Sequence, residues 1–191
     1  MIDAPQTSNP AAPGVVPPRS LFLVGPMGSG KTAVGRALAR LRRQRFIDSD
    51  AEIERRTGVD ISFIFEREGE PGFRDRERDV IEDLTHWPGV VLSTGGGAVI
   101  RPENRERLRS RGIVIYLQAS VAQQVERTQH SRNRPLLMNT DPAVRLAELM
   151  AVREPLYRSV AHLVVSTDRR KVSAVAEAIL EGLATLDAAN V

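Results

Sequence analysis

The residues with the most evident chemistry form one run, Gly25-Pro26-Met27-Gly28-Ser29-Gly30-Lys31-Thr32. A polyphosphate is bound closely only if backbone N–H groups can wrap it, and glycines allow both the close approach and the positive φ values of such a wrap. A helix opening near Gly30 would add unpaired N–H donors and the positive end of its dipole. Lys31 can then reach the β and γ phosphates, and the Thr32 hydroxyl can enter the coordination shell of Mg²⁺. Gly28, Ser29, Gly30, Lys31 and Thr32 are therefore candidates for binding a nucleotide phosphate chain.

Other groups could complete a reaction site. Asp48 and Asp50 stand one residue apart at the end of a short apolar stretch. On a strand, that spacing would point both carboxylates to one side, where one could hold Mg²⁺ and the other meet an acceptor hydroxyl; alternatively, both could be acids at a helix N-terminus. Gly95-Gly96-Gly97 is either a close backbone approach to a ligand or a plain turn. Arg74, Arg134 and Arg153 stand out among the arginines. Arg74 opens a predicted helix, where its charge opposes the dipole, so another partner should retain it; Glu77, one turn on, is suitably spaced. Arg134 precedes Pro135-Leu136-Leu137 in a polar stretch, from which it could reach a transferring phosphoryl group. Arg153 lies beside Pro155-Leu156-Tyr157, where a helix is expected to be interrupted.

These groups need a scaffold to bring them together. Leu21-Phe22-Leu23-Val24 reads as a buried strand, and Val34, Ala37, Leu38 and Leu41 recur at helical spacing after the glycines. Further strands are predicted near residues 44–50, 90–93, 112–117 and 163–166. Helices are predicted at 51–57 (stopped by Gly58), from Asp60 with Phe63 and Ile64 at core positions, and at 73–87 after a break at 69–72. Others follow at 102–109, 121–127, 142–156 and 172–186. Five strands alternating with helices imply right-handed βαβ units and a parallel sheet covered on both faces, with ligands beyond the carboxyl ends of the strands. The glycine run, Asp48/Asp50 and Gly95–Gly97 all fall at those ends.

Composition narrows the class. The chain has 191 residues, enough for one sizeable core, with 41% hydrophobic and 27% charged residues. A net charge of +3 with scattered arginines, and only 4% aromatic residues, does not suggest a nucleic-acid-binding face. Cysteine is absent, so disulfides, thiolate nucleophiles and Cys-based zinc sites are excluded, which is compatible with the cytoplasm. No apolar run approaches membrane-spanning length. Residues 1–19, with prolines at positions 5, 10, 13, 17 and 18, suit neither a secretory signal nor a transit peptide and read as a disordered or loosely packed tail. Residues 20–191 form a single domain, with residues 128–141 as an exposed loop.

The motifs together resemble the shikimate kinase family: GPMGSGKT (25–32), DSD (48–50), Ile-Phe followed by G-E-x-x-F-R (64–74), STGGGA (93–98), RPLL (134–137) and R-x-P-L-Y (153–157), in family order. The resemblance implies a three-layer αβα P-loop kinase fold with a five-stranded parallel sheet, a lid loop and substrate-binding helices. It implies transfer of the ATP γ-phosphoryl group to the 3-hydroxyl of shikimate by a monomeric enzyme. Lys31, Asp50 and Arg134 would be catalytic, and Thr32 and Asp48 would serve Mg²⁺. Arg74 and Arg153 would bind the shikimate carboxylate, and Gly96 and Gly97 its hydroxyls. Arg127 and Arg170 would flank adenine. Arg43-Gln44-Arg45 stands where a glycine is expected, and Lys171-Val172 where some relatives carry a proline; both lie away from the transfer chemistry. A related small-molecule kinase, such as a gluconate or nucleoside monophosphate kinase, and a catalytically silent ATP-binding module are the alternatives.

Overall fold

The structure is a computed structural model, and it describes residues 18–129 and 141–189. The elements run β1 (Leu21–Val24), α1 (Lys31–Arg42), β2 (Arg45–Asp48), α2 (Ser49–Thr57), α3 (Ile61–Thr85) and β3 (Val90–Ser93), then α4 (Pro102–Arg111), β4 (Ile113–Gln118), α5 (Val121–Thr128), α6 (Pro142–Val160), β5 (Leu163–Ser166) and α7 (Val172–Ala189). All strand pairings are parallel, in the order β2-β3-β1-β4-β5.

Strand alternation divides the core into two layers. Phe22, Val24, Leu92, Val114 and Tyr116 face one side, where Ile64, Phe73, Ile81 and Leu84 of α3, Leu108 of α4 and Tyr157 of α6 cover them. Leu21, Leu23, Val91, Ile115 and Leu117 face the other, against Val34 and Leu38 of α1 and Ile179 and Leu183 of α7. The central strands β3, β1 and β4 are thus buried on both faces, as parallel strands usually are, while the edge strands β2 and β5 remain partly exposed.

The chain leaves β1 toward β2 and β3 on one side and returns to β4 on the other. That reversal opens a crevice beyond the β1 carboxyl end. Leu23 and Asp48 are both in register with Ser93, so β1, β2 and β3 end together and release their loops into one region.

Several local expectations are corrected. Helix α2 begins at Ser49, so Asp50 belongs to its first turn rather than to a strand end. The break expected at residues 69–72 is present as a kink at Gly69 (φ 69°, ψ −176°), where two helical segments of α3 meet with no loop between them. Pro71 is tolerated because it lies in the first turn after the kink, where its missing N–H would have had no helical partner. Phe63 is 42% exposed, while Ile64 beside it is buried. Pro155 does not interrupt α6, which runs on to Val160. The expected tail, residues 1–19, lies outside the described residues except for Pro18 and Arg19, as does the 128–141 loop except for its ends.

Candidate active site

One cleft of about 590 Å³ lies at the strand ends, lined on one side by Gly28, Gly30, Lys31 and Thr32, and on the other by Asp50, Arg74 and Arg153. Asp48, Gly96, Gly97 and Arg127 also line it.

The phosphate-binding half is built as its glycines suggest. Gly28 and Gly30 take positive φ (77° and 88°), and Gly30 is the N-cap of α1, without a side-chain cap. Lys31, 9% exposed, donates from Nζ to the carbonyl oxygens of Gly25 and Pro26, each at 2.8 Å. The loop thereby holds its own lysine at the helix opening. The Thr32 hydroxyl donates to Asp48 Oδ2 at 2.9 Å, which brings two hard oxygen donors together beside the α1 N-terminus. Asp48 Oδ1 also accepts from the N–H groups of Asp50 (3.1 Å) and Ala51 (3.5 Å). Asp48 is thus the cap of α2, and its second oxygen stands beside the Thr32 hydroxyl; of the two acids only Asp48 caps the helix, Asp50 lying in its first turn.

Asp50 lies deeper. Its Oδ1 and Glu77 Oε1 are buried with no hydrogen-bond partner among the described residues. Both crowd Gly95, where a Cβ would lie 2.6 Å from Asp50 Oδ1 and 2.7 Å from Glu77 Oε1. Burial, with the neighbouring Glu77 and Asp48 carboxylates, pushes the Asp50 carboxyl up to about 7 against the opposing pull of Lys31 and Arg74. Burial likewise raises Glu77. Gly95 is further tied down by its N–H, which donates to Ser49 Oγ at 3.0 Å.

Arg74 is buried and held from both sides of its turn: Nη1 donates to Glu77 Oε2 at 2.7 Å and Nη2 to Glu70 Oε1 at 2.8 Å. The i,i+3 and i−4 spacing of these acids was visible in the sequence, although only Glu77 was singled out. At Gly97 a Cβ would overlap the Arg74 guanidinium, so glycine there gives that group its space. Arg153, 6% exposed, comes from α6, and burial lowers its pKa. Tyr157, one turn further along α6, donates from its hydroxyl to the Gly96 carbonyl; the expected interruption at Pro155 had concealed this register. The apolar wall formed by Ile61, Phe65 and Phe73 was not foreseen as part of a site, because its residues look like ordinary core positions.

Of the two arginines expected beside adenine, Arg127 lines the cleft. It donates to the carbonyls of Gly28 (2.9 Å) and Thr167 (2.7 Å), joining the phosphate loop to the end of β5. Arg170 is exposed and turns back onto the carbonyl of Ala174 at 2.8 Å. Arg134 lies outside the described residues.

The family model described as shikimate kinase matches residues 27–184. The chain belongs to the shikimate kinase family. Shikimate kinase of Pseudomonas syringae pv. tomato is 56% identical over 168 residues, covering 88% of this chain and 98% of the relative. That of Halorhodospira halophila is 55% identical over 166 residues, covering 87% and 94%. Among solved structures, shikimate kinase from Acinetobacter baumannii in complex with shikimate superposes with a TM-score of 0.86 at 48% identity, covering 87% of this chain and 93% of that one. A gluconokinase from Sinorhizobium meliloti shares the fold at 19% identity, with a TM-score of 0.56. The shikimate kinase family accounts for the five-stranded parallel sheet and for a kinase activity, but no helix among the described residues is long and apolar enough to cross a membrane.

Proposed function

We propose that this cleft transfers the γ-phosphoryl group of ATP to the 3-hydroxyl of shikimate, giving shikimate 3-phosphate and ADP. The observation that carries this proposal is the position of Asp50, between Lys31 of the phosphate loop and the Arg74/Arg153 pair in a single cleft. ATP would enter with its phosphates over Gly28–Thr32, and Lys31 would exchange its loop carbonyls for phosphate oxygens. The acceptor's carboxylate suits two buried guanidinium groups, which offer planar, charged donors. Asp50, with its pKa near neutrality, is suited to accept the hydroxyl proton as the oxygen attacks phosphorus. The backbone of Gly96 and Gly97 would meet the remaining hydroxyls.

Thr32 and Asp48 would hold Mg²⁺: hard oxygens 2.9 Å apart, completed by phosphate and water, fit an ion that seldom relies on a cage of protein ligands. When bound, the ion would supply positive charge against the negative charge of the phosphates. Arg127 would lie beside the adenine, Arg170 at the outer edge of the same region, and Arg134 would serve the transferring group. The cysteine-free composition is compatible with a cytoplasmic enzyme, and the reaction needs only one chain.

ADP release in a coupled assay should require both shikimate and Mg²⁺. Lys31→Ala and Asp50→Ala should nearly abolish it while the fold is retained. An acceptor screen including gluconate should find shikimate preferred; turnover with gluconate alone would overturn the assignment.

A further inference from the structure

Tyr157 is fully buried at the point where helix α6 meets the Gly95–Gly97 loop. Its ring stacks on that of Tyr116, with centroids 5.0 Å apart and planes 24° apart. Its hydroxyl donates to the Gly96 carbonyl. Burial holds this phenol well above its ordinary pKa despite the nearby Arg153 guanidinium, so it remains a donor across the working pH range.

The geometry of the acceptor loop follows from that bond. The peptide linking Gly96 and Gly97 is trans, so its C=O and N–H point in opposite directions. With the carbonyl held toward α6, the Gly97 N–H must point away from α6. Gly97 itself accepts from Ile100 N at 2.9 Å, but its own N–H donates to no protein group among the described residues. Gly96 also borders the phosphate loop: a Cβ there would stand 3.5 and 3.6 Å from Met27 N and Gly25 O, in ordinary contact. Gly97 lies against the Arg74 guanidinium, and Arg153 precedes Tyr157 by one turn on the same buried face of α6.

We infer that Tyr157 is a positioning residue for the acceptor: by holding the Gly96 carbonyl it aims the Gly97 N–H at an acceptor oxygen beside the group bound by Arg74 and Arg153. Helix α6 thus supplies both a binding arginine and the tyrosine that orients the opposing backbone. This rests on the assignment of shikimate as the acceptor.

Tyr157→Phe removes the bond to Gly96, together with the hydroxyl's contact with the Arg153 guanidinium, and keeps the ring. Loss of one aimed neutral hydrogen bond corresponds to a rise of about 3- to 10-fold in KM for shikimate, with KM for ATP within about twofold of the parent. Tyr116→Phe is the control, because the Tyr116 hydroxyl has no hydrogen-bond partner among the described residues, and its KM for shikimate should not move. An unchanged KM for shikimate in folded Tyr157→Phe would overturn the inference, as would equal rises in both KM values or the same rise in Tyr116→Phe. The parent protein gives a second measurement if the variant does not fold. The Tyr157 hydroxyl proton should exchange slowly in NMR spectra and shift when shikimate binds; no such shift would overturn the inference. A parent protein that turns over another acceptor but not shikimate would overturn the acceptor assignment, and this inference with it.

Discussion

Arg74 and Glu77 form a buried ion pair, Nη1 to Oε2 at 2.7 Å, in which the carboxylate is inaccessible and its other oxygen has no hydrogen-bond partner among the described residues. Such a pair is costly to disrupt from one side, because the remaining charge stays in a poorly solvated site. Glu77→Ala should therefore destabilise the protein by about 3 kcal/mol in urea unfolding. It should also raise KM for shikimate more than KM for ATP, since Arg74 would be left with only the half-exposed Glu70. A stable variant with unchanged KM for shikimate would show that Glu77 does not set the position of Arg74.

The two roles of Asp48 can be separated by the choice of replacement. Asparagine is as good an N-cap as aspartate, whereas alanine is not. Asp48→Asn should leave thermal stability close to the parent but raise the Mg²⁺ concentration needed for half-maximal turnover, because a charged ligand is replaced by a neutral one. Asp48→Ala should show the same Mg²⁺ defect and lose about 1 kcal/mol of stability in addition. Equal Mg²⁺ titrations for Asp48→Asn and the parent would argue against a role in metal binding.

The sequence indicated most of the fold, for a physical reason. Buried parallel strands are short apolar runs, and Leu21–Val24 and Val90–Ser93 stand at the positions their composition suggests, as does Leu163–Ser166, a partly exposed edge strand. The errors arose where one residue serves two purposes. Asp48-Ser49-Asp50 looked like a strand end because its acids alternate, yet Asp48 uses its carboxylate to start α2. Gly69, with its positive φ, does interrupt the helical backbone of α3, but Pro71 suits the first turn of the segment that follows, so the break is a kink with no intervening loop. In the candidate site, Lys31, Thr32, Asp50, Arg74 and Arg153 announced themselves by charge or motif. The crowding of Gly95 by two carboxylates, and the grip of Tyr157 on Gly96, depend on contacts between distant segments that no local pattern encodes.

That crowding makes Gly95 a sensitive position. Its backbone does not require positive φ, so alanine would be conformationally acceptable; the difficulty is the Cβ, 2.6 and 2.7 Å from the Asp50 and Glu77 oxygens. Gly95→Ala should push both carboxylates aside, lowering kcat by about 10- to 100-fold for a displacement on the order of 1 Å. The stability cost should be about 1 to 3 kcal/mol, as for other overpacked sites. Near-parental kcat with a well-folded variant would show that Asp50 has room to move without consequence.

Asp50 itself should show opposite effects on stability and on turnover. In the unfolded chain its carboxyl ionises near 3.8, whereas in the fold it keeps its proton until about 7. Between those values the folded protein binds a proton that the unfolded chain has released, so stability falls as pH rises from about 4 through 7 and then levels off. Asn at this position cannot ionise and escapes that loss. Measured in EDTA, so that bound metal does not alter the titration, Asp50→Asn should be more stable than the parent at pH 8, by on the order of 2 kcal/mol or more. The advantage should shrink to near zero at pH 4. Over the same series its kcat should be about a thousandfold below the parent, the loss typical of a missing general base. The parent's kcat/KM for shikimate should decline as pH falls below about 7, where the free enzyme's Asp50 takes up its proton. A stability difference independent of pH would mean that Asp50 is ionised throughout and that its burial carries no such cost.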